Sequence, residues 1–336
     1  MHKARSSQRH MQRRRFISLL GGAAVAWPLV ARAQEAASIR RVGVLSLDSI
    51  KAHPTPPLQA FQQGLRELGW VEGQNLLIEW RFCEGNLDTL PRLASELVDL
   101  AVDVIVAVAT PSAIAAKKAT HTIPVVFIQV AAPIETGIVT SLARPGANVT
   151  GLSNMLPESS GKRLELLKEV LPNAKVVAVL WNRFNADLIF HQSELASKRI
   201  GLELKDFGIS RAEEIKSAIT STAQSRDAAI MVIDDPLIAS YRNEIVALAR
   251  QSAFPIFSLY SEYVMAGGLL SYGPNLLAIY KRGATYVDRI LKGVKPGDLP
   301  VEQPVEFKLV INLKTAKALG IEVPGTVLAR ADEVID

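Results

Sequence analysis

Cys83 is the single cysteine among the 336 residues. One thiol can form neither an intramolecular disulfide nor a thiolate metal cluster, so both are excluded. Five histidines are present, and only His53, His121 and His191 follow residue 33, far apart and without the spacing of metal ligands. We therefore expect no metal site and no cofactor.

Common enzyme motifs are also missing. The sequence contains no G-x-G-x-x-G after a strand, no H-E-x-x-H and no G-x-S-x-G. Ser160-Gly-Lys-Arg163 lacks the upstream glycine and the Ser/Thr of a phosphate-binding loop. No Ser–His–acid set can be assembled from the sequence. We expect a protein that is not an enzyme.

Residues 1–33 have the organisation of an export signal. Arg13-Arg14-Arg15 is basic, Ile17–Val30 is a short apolar stretch, and Ala31-Arg32-Ala33 is a small-x-small cleavage site. The stretch is too short and too rich in Gly and Ala to be a stable membrane span. Arg-Arg before x-Phe-Ile favours a twin-arginine leader over a Sec signal, and translation can start at Met1 or Met11. We expect cleavage after Ala33, export to the periplasm and no lipid anchor, because no cysteine lies near this site.

The basic net charge of +5 comes from this leader. Residues 1–33 hold seven Lys/Arg and no acid, so removing the seven from the 38 leaves 31 basic against 33 acidic residues, a net charge of about −2. A near-neutral surface of mixed charge does not favour nucleic acid as a partner.

Two stretches of the chain follow the same plan. Residues 101–128 and 226–257 each contain an apolar strand, a polar turn with a proline, a helix, and a second apolar strand entered through a proline. Two similar α/β units predict two Rossmann-like lobes with parallel sheets. Because parallel sheets bind ligands beyond the carboxyl ends of their strands, a ligand is expected in the cleft between the lobes.

Hydrophobic periodicity places the elements along the chain. The predicted strands are 42–47, 76–82, 103–108, 124–128, 175–181, 202–206, 228–233 and 254–257. The predicted helices are 56–69, 88–100, 112–119, 158–170, 186–200, 211–224, 237–252, 277–292 and 314–319. Helix 162–168 mixes basic and apolar residues and is interpreted as having a solvated face.

Three turn-rich or extended segments are predicted to connect the lobes: Arg144–Asn154, Ala266–Asn275, which returns to the first lobe, and Leu299–Pro304. The predicted division is residues 40–151 plus 267–302 for lobe 1, and 152–266 plus 303–336 for lobe 2. A hinge of several strands favours closure of rigid lobes.

Six long motifs stand out along the chain: Leu68–Asn75, Ala143–Gly151, Lys162–Leu167, Gly267–Gly273, Leu299–Pro304 and Ile311–Gly320. They resemble one known family, the ABC transporter substrate-binding proteins of the tryptophan/aromatic amino acid-binding type. The resemblance covers residues 40–335. It implies a type I periplasmic-binding fold that closes on a small molecule and delivers it to an ABC permease in the inner membrane.

The turns after the strands are the candidate binding positions. Ala109-Thr-Pro-Ser112 opens a helix, where hydroxyls and backbone N–H groups suit a carboxylate; Thr110 and Ser112 are also expected to cap that helix. Asp234-Asp235-Pro236 lies at the equivalent place in the second unit. Asp235 fits an N-cap before proline, and Asp234 is favoured as the partner of a ligand ammonium. Together they predict an amino acid or a similar zwitterion.

Other polar or aromatic residues complete the predicted cleft, although each of them taken alone is more readily a structural residue than a binding residue. The full candidate set is Asp48, Ser49, Thr110, Pro111, Ser112, Gln129, Asn154, Asn182, Asp234, Asp235, Tyr260 and Tyr272. Tyr260 or Tyr272 can stack on a ligand side chain.

The leading interpretation is a monomeric solute receptor of an ABC importer. A sensor subunit that docks on a membrane receptor kinase is an alternative that the sequence does not separate from it. A periplasmic hydrolase or isomerase would need a nucleophile and base that are not found. A cytoplasmic repressor of related fold is disfavoured, because a leader stands where a DNA-binding helix-turn-helix would be.

Overall fold

Two separate β-sheets organise the chain in the computed structural model, which describes residues 39–47, 55–211, 213–222 and 228–336. The predicted export signal, residues 1–33, lies outside the described residues. The described strands are β1 Arg40–Ser46, β2 Leu76–Phe82, β3 Val104–Val108, β4 Val125–Val130, β5 Val149–Ser153, β6 Val176–Asn182, β7 Glu203–Ile209, β8 Ala228–Val232, β9 Ile256–Ser258, β10 Leu270–Pro274, β11 Phe307–Asn312 and β12 Glu333–Ile335.

Helices cover the faces of both sheets. They are α1 Pro56–Glu67, α2 Leu90–Asp99, α3 Ala109–Ala119, α4 Ser160–Val170, α5 Asp187–Arg199, α6 Glu213–Thr222, α7 Pro236–Ser240, α8 Arg242–Gln251, α9 Ser261–Met265, α10 Leu276–Leu291, α11 Leu313–Ala318 and α12 Gly325–Leu328. In the described part of the chain, no helix combines the length and apolar character needed to cross a membrane.

The smaller sheet has the order β2-β1-β3-β4-β5, and all its pairs are parallel. Strand β3 is buried along its whole length, as expected for a continuous apolar run with helices on both faces. One face packs against α1 and α10 through residues such as Phe61 and Tyr286. The other face packs against α2 and α3, with Phe127 and Leu97 in its core. This lobe therefore has one apolar cluster on each side of its sheet.

The larger sheet has the order β12-β11-β10-β9-β8-β6-β7. Its pairs are parallel except β10 with β11, which are antiparallel. Helices α4 and α5 cover one face and α6 and α8 the other, again with an apolar cluster on each side. The fold is an α/β structure of two Rossmann-like lobes, as the repeated plan of the sequence predicts.

Strand β10 corrects the predicted course of the chain. Residues 266–275 were expected to return to the first lobe, but Leu270 pairs with Phe257 and Ile311 in the larger sheet. The return occurs after Pro274, and α10 then packs on α1 of the smaller lobe. Because this strand is short and contains glycines and Pro274, its sequence resembles that of a turn. The remaining limits of the predicted lobes stay a prediction.

Strand β5 is a second correction. The predicted crossing Arg144–Asn154 contains this strand, which pairs with β4 in the smaller sheet, so the chain leaves that lobe only after Ser153. Predicted helix 237–252 is divided at Tyr241 into α7 and α8. Strands β11 and β12 were not predicted. Their sequences are short, and they depend on pairing with β10 and with each other.

Candidate functional site

A cleft of about 460 Å³ lies at the carboxyl ends of the strands, with walls from both sheets. This position follows from the parallel topology, in which the turns after the strands of one sheet meet at one edge. Six of the predicted residues line it: Thr110, Gln129, Asn154, Asp234, Asp235 and Tyr260. Pro111, Ser112, Asn182 and Tyr272 do not line it, and Asp48 and Ser49 lie outside the described residues.

The start of α3 differs from its prediction. Val108 is the N-cap, and no side chain caps this helix, so Thr110 and Ser112 are not capping residues. Strand β3 ends at Val108 and the helix begins at Ala109, whose φ is 68°. Because no loop separates them, no polar loop residue precedes the helix to cap it. The Thr110 hydroxyl instead accepts a bond from Ala131 N at 3.2 Å. Ser112 is fully buried.

Gln129 connects the two lobes. It lies at a bulge in β4 with a φ of 63°, a left-handed backbone conformation that non-glycine residues seldom adopt. Its side-chain amide donates to the Tyr260 hydroxyl at 3.0 Å and accepts from the Tyr280 hydroxyl at 2.8 Å. Asn154 donates to its backbone carbonyl at 3.2 Å. Because Tyr260 follows β9 of the larger sheet, the amide forms a bond from one lobe to the other.

Asp235 has a structural task that its sequence context predicts. Its carboxylate is the N-cap of α7 and accepts from Ile238 N at 3.0 Å. It also accepts from the side-chain amides of Asn182 and Asn185. Asn182 therefore contributes to the cleft indirectly, by holding Asp235.

Asp234 is different, because one of its carboxylate oxygens has no partner. The residue is 8% exposed, and its Oδ1 is buried without a hydrogen bond among the described residues. The Arg242 guanidinium lies 3.8 Å from Oδ2, too far for a hydrogen bond. Burial raises the pKa of Asp234 well above its ordinary value, Arg242 opposes this rise, and Asp235 and Glu262 add to it. A cation at Oδ1 would satisfy this group.

The two candidate tyrosines differ in their position relative to the cleft. Tyr260 lines the cleft, and burial raises the pKa of its hydroxyl, so it stays protonated. Tyr272 stacks on Phe307, with ring centroids 5.6 Å apart, and does not line the cleft. Of the pair, Tyr260 is the one placed to contact a ligand.

Among the cleft residues that sequence reasoning missed are Arg242, Glu262, Leu276 and Tyr280. It considered only the turns that directly follow strands, whereas these residues begin or lie within helices. Periodicity carries no signal for Arg242, because the predicted helix 237–252 runs through the break that the structure has at Tyr241.

Arg163 lies on the inner side of its helix, whereas the side chains of Lys162 and Glu165 in the same helix reach the solvent. The residue is buried, and its guanidinium donates to the Leu156 carbonyl and to the hydroxyls of Ser159 and Ser160. Burial lowers the pKa of Arg163 to about 10. The cation thus fixes the segment that enters the larger lobe, where Leu156 lines the cleft.

Comparison with known proteins identifies a family that matches this chain. A family model described as "ABC transporter substrate binding protein" matches residues 46–335. The chain is 31% identical over 283 residues to the "Tyrosine-binding protein" of Clostridioides difficile (strain R20291), covering 83% of this chain and 81% of that relative.

Two solved structures are informative about conformation. An ABC domain in complex with L-Trp from Streptococcus pneumonia is 31% identical, with a TM-score of 0.81 over 89% of this chain and 100% of that chain. A ligand-free, open substrate-binding protein with adhesive properties from Clostridium difficile is 27% identical, with a TM-score of 0.64 over 88% and 99%. The chain is thus more similar in shape to the ligand complex.

Proposed function

The chain belongs to the family of ABC transporter substrate-binding proteins, and we propose that it captures an aromatic amino acid in the cleft between its lobes. As a member of this family it binds a small-molecule solute and is not an enzyme. In the proposed role it acts as a monomer and delivers the amino acid to an ABC permease in the inner membrane.

The observation that carries the ligand class is Asp234. A buried carboxylate with an unpartnered oxygen on a cleft wall is suited to an ammonium group. A sugar or another neutral solute can donate only a neutral group to this oxygen, whereas an ammonium donates a charge-assisted hydrogen bond. Arg242 lies close to the carboxylate but does not satisfy Oδ1.

The rest of the cleft supports an aromatic side chain. Its volume lies within the roughly 300–1,000 Å³ of ordinary small-molecule sites. Tyr260, Tyr280, Leu276 and Ile189 line it and offer apolar or ring surface. Similar proteins are described as tyrosine-binding or as complexed with L-Trp, which supports the same class.

Two places can receive the ligand's α-carboxylate. One is the start of α3, where Thr110 lies and the helix dipole favours an anion. The other is Arg242 on the opposite wall. Either choice leaves the ammonium at Asp234.

Closure of the lobes is also part of the proposal. The greater similarity to the L-Trp complex than to the ligand-free open protein supports a closed arrangement in this structure. A ligand that contacts both walls stabilises that arrangement, because only the closed form offers both sets of contacts.

A thermal-shift screen followed by calorimetry tests the ligand class. The chain from Gln34 onward is measured with L-Trp, L-Tyr and L-Phe, and with L-Leu, glucose and indole-3-propionate, which lacks the amine. We expect the aromatic amino acids to stabilise the protein by about 2.7 kcal/mol at a hundred times Kd. Stronger binding of glucose or indole-3-propionate than of every aromatic amino acid contradicts the proposal.

The cellular location follows from the leader. We propose twin-arginine export to the periplasm with cleavage after Ala33 and no lipid anchor, on the pattern of residues 13–33. N-terminal sequencing of the exported product should begin at Gln34. Replacement of Arg13, Arg14 and Arg15 by lysine should block a twin-arginine route and leave a Sec route working.

A further inference from the structure

We infer that Arg242 binds the α-carboxylate of the ligand, so that the larger lobe holds both charged groups of the amino acid. This inference rests on the proposed function and identifies a specificity-determining residue of that site. It departs from the sequence-based expectation that the first lobe receives the carboxylate at Thr110–Ser112.

Arg242 and Asp234 lie on the same wall of the cleft. Asp234 follows strand β8, and Arg242 is the first residue of α8. The short helix α7 and the break at Tyr241 bring the chain back, so that Arg242 Nη2 is 3.8 Å from Asp234 Oδ2. A cation and an anion of the protein are therefore adjacent in the cleft.

Each member of this pair keeps an unmet hydrogen-bonding atom. Asp234 Oδ1 is a buried acceptor, and Arg242 Nε is a buried donor, and neither has a partner among the described residues. The 3.8 Å between Arg242 Nη2 and Asp234 Oδ2 is also too long for a hydrogen bond. Since buried polar groups in native structures are almost always paired, two unmet atoms of opposite kind indicate a ligand that carries both an anion and a cation.

The covalent structure of an amino acid favours this pair over the start of α3. Its ammonium and carboxylate are attached to one carbon, so their protein partners must be close together. Asp234 and Arg242 meet that requirement on one wall, whereas α3 belongs to the other lobe. Moreover, Ser112 is buried away from the cleft, and Thr110 offers a carboxylate one neutral hydroxyl donor, whereas Arg242 offers a charged planar fork of N–H donors.

The guanidinium is held in a fixed position. It lies over the Tyr263 ring, with Cζ 5.3 Å from the ring centroid, and its side chain is 29% exposed. Tyr263 in turn donates from its hydroxyl to the Ile238 carbonyl at 3.2 Å. A stacked guanidinium presents its planar fork to a carboxylate, which a lysine cannot do.

Recognition of the head group and of the side chain would then depend on different residues of the cleft. The larger lobe recognises the charged head group that all α-amino acids share. The side chain is then left to the surface that includes Gln129, Leu276 and Tyr280. A substitution at Arg242 should alter discrimination between acid and amide, and it should leave discrimination among amino acid side chains intact.

A comparison of L-tryptophan with L-tryptophanamide isolates the carboxylate. Both keep the ammonium near pH 6.5, about one unit below the usual α-amino pKa, but the amide lacks the negative charge. Calorimetry is carried out on the wild type, Arg242→Gln, Thr110→Val and Arg92→Gln. The last removes an exposed arginine of α2 that pairs with Glu96, and it controls for a general loss of positive charge.

We expect the wild type and Arg92→Gln to bind L-tryptophan about ten- to a hundredfold more tightly than L-tryptophanamide, the range of a charge-assisted hydrogen bond. Arg242→Gln should reduce this preference to about threefold or less, and Thr110→Val should keep it. Arg242→Lys, which keeps the charge and loses the fork, should give an intermediate preference. It also serves as the test if Arg242→Gln does not fold.

Two results would overturn the inference. One is an unchanged acid preference in both Arg242 variants, together with its loss in Thr110→Val, which would place the carboxylate at α3. The other is an equal weakening of acid and amide in the Arg242 variants, which would make the arginine a structural residue. In both cases the proposed function stands. Failure of the wild type to bind any aromatic amino acid removes the proposed function itself.

Discussion

Gln129 donates a hydrogen bond of 3.0 Å to the Tyr260 hydroxyl, and this bond joins the smaller lobe to the larger one beside the ligand cleft. The donor is a bulge residue of β4 with a left-handed backbone, and the acceptor follows β9. The same amide is fixed from its own side by Tyr280 of α10. The pair is therefore placed to favour the closed arrangement of the lobes.

Replacement of Tyr260 by Phe should shift this equilibrium toward the open form. The change removes one neutral hydrogen bond, of about 0.5–1.5 kcal/mol, so we expect ligand binding to weaken by about two- to tenfold. Small-angle scattering of the ligand-free variant should show a larger radius of gyration than the wild type. Tyr280→Phe is the matched control, since it removes the other hydrogen bond of Gln129 and should leave the radius unchanged. An unchanged radius in Tyr260→Phe would contradict the role of this bond.

The two neighbouring aspartates should give opposite results. Asp234→Asn removes the proposed partner of the ligand ammonium, and we expect L-Trp to bind about ten- to a hundredfold more weakly without loss of stability. Asp235→Ala removes the N-cap of α7 and should lower the free energy of unfolding by about 0.5–2 kcal/mol. Calorimetry and denaturant unfolding on both variants distinguish these roles. Wild-type affinity in Asp234→Asn would remove it from the site.

Asp234 should also make stability depend on pH. Its pKa is raised in the folded chain, so the folded state binds this proton more tightly than the unfolded state does. The contribution is therefore fully present below the ordinary pKa of about 4 and is lost as pH rises through the raised value, at about 1.4 kcal/mol for each unit of difference. We expect the free energy of unfolding of the ligand-free wild type to fall relative to that of Asp234→Asn as the pH is raised from 4. A constant difference would argue that the carboxyl ionises normally.

Ligand binding should release that proton. An ammonium at Oδ1 favours the charged carboxylate and so lowers its pKa. Calorimetric enthalpies measured in buffers of different ionisation enthalpy should therefore differ for the wild type and agree for Asp234→Asn. Equal enthalpies in every buffer for the wild type would show that no proton leaves.

Gly273 should tolerate no side chain. A Cβ atom at this position would lie 2.0 Å from the Leu259 carbonyl oxygen, directly before Tyr260. We expect Gly273→Ala to lower the free energy of unfolding by about 1–3 kcal/mol, because backbone must move to admit the methyl group. Gly325→Ala is the control, since no atom lies within 4 Å of its added Cβ. Denaturant unfolding that showed equal stability for both variants would contradict this packing argument.

Much of the fold was predictable because its local signals agree with one another. Strand 76–82 was predicted with the observed limits of β2, and the predicted strand 103–108 differs from β3 by one residue. Strand β3 is an apolar run, as a parallel strand buried on both faces requires, whereas in the edge strand β2 apolar and charged residues alternate from Ile78 to Phe82. Strands β5 and β10 were misread as crossings because they are short and flanked by Gly, Pro and Asn. Their pairing with distant strands is what makes them strands.

For the site, the sequence by itself determined which turns meet at the cleft, because strand order along an α/β unit fixes where each strand ends. It thereby placed Thr110 and Gln129 at the carboxyl edge of the smaller sheet, and Asp234 and Tyr260 at that of the larger one. It also identified Asp235 as a helix cap from the proline that follows it. Only the tertiary structure decided which hydroxyls and carboxylates remain available. Hydrogen-bond satisfaction depends on groups brought from distant parts of the chain, such as Ala131 at Thr110 and Tyr260 at Gln129. The position of Arg242 beside Asp234 also depends on the tertiary structure, because it results from a helix break at Tyr241 that periodicity does not reveal.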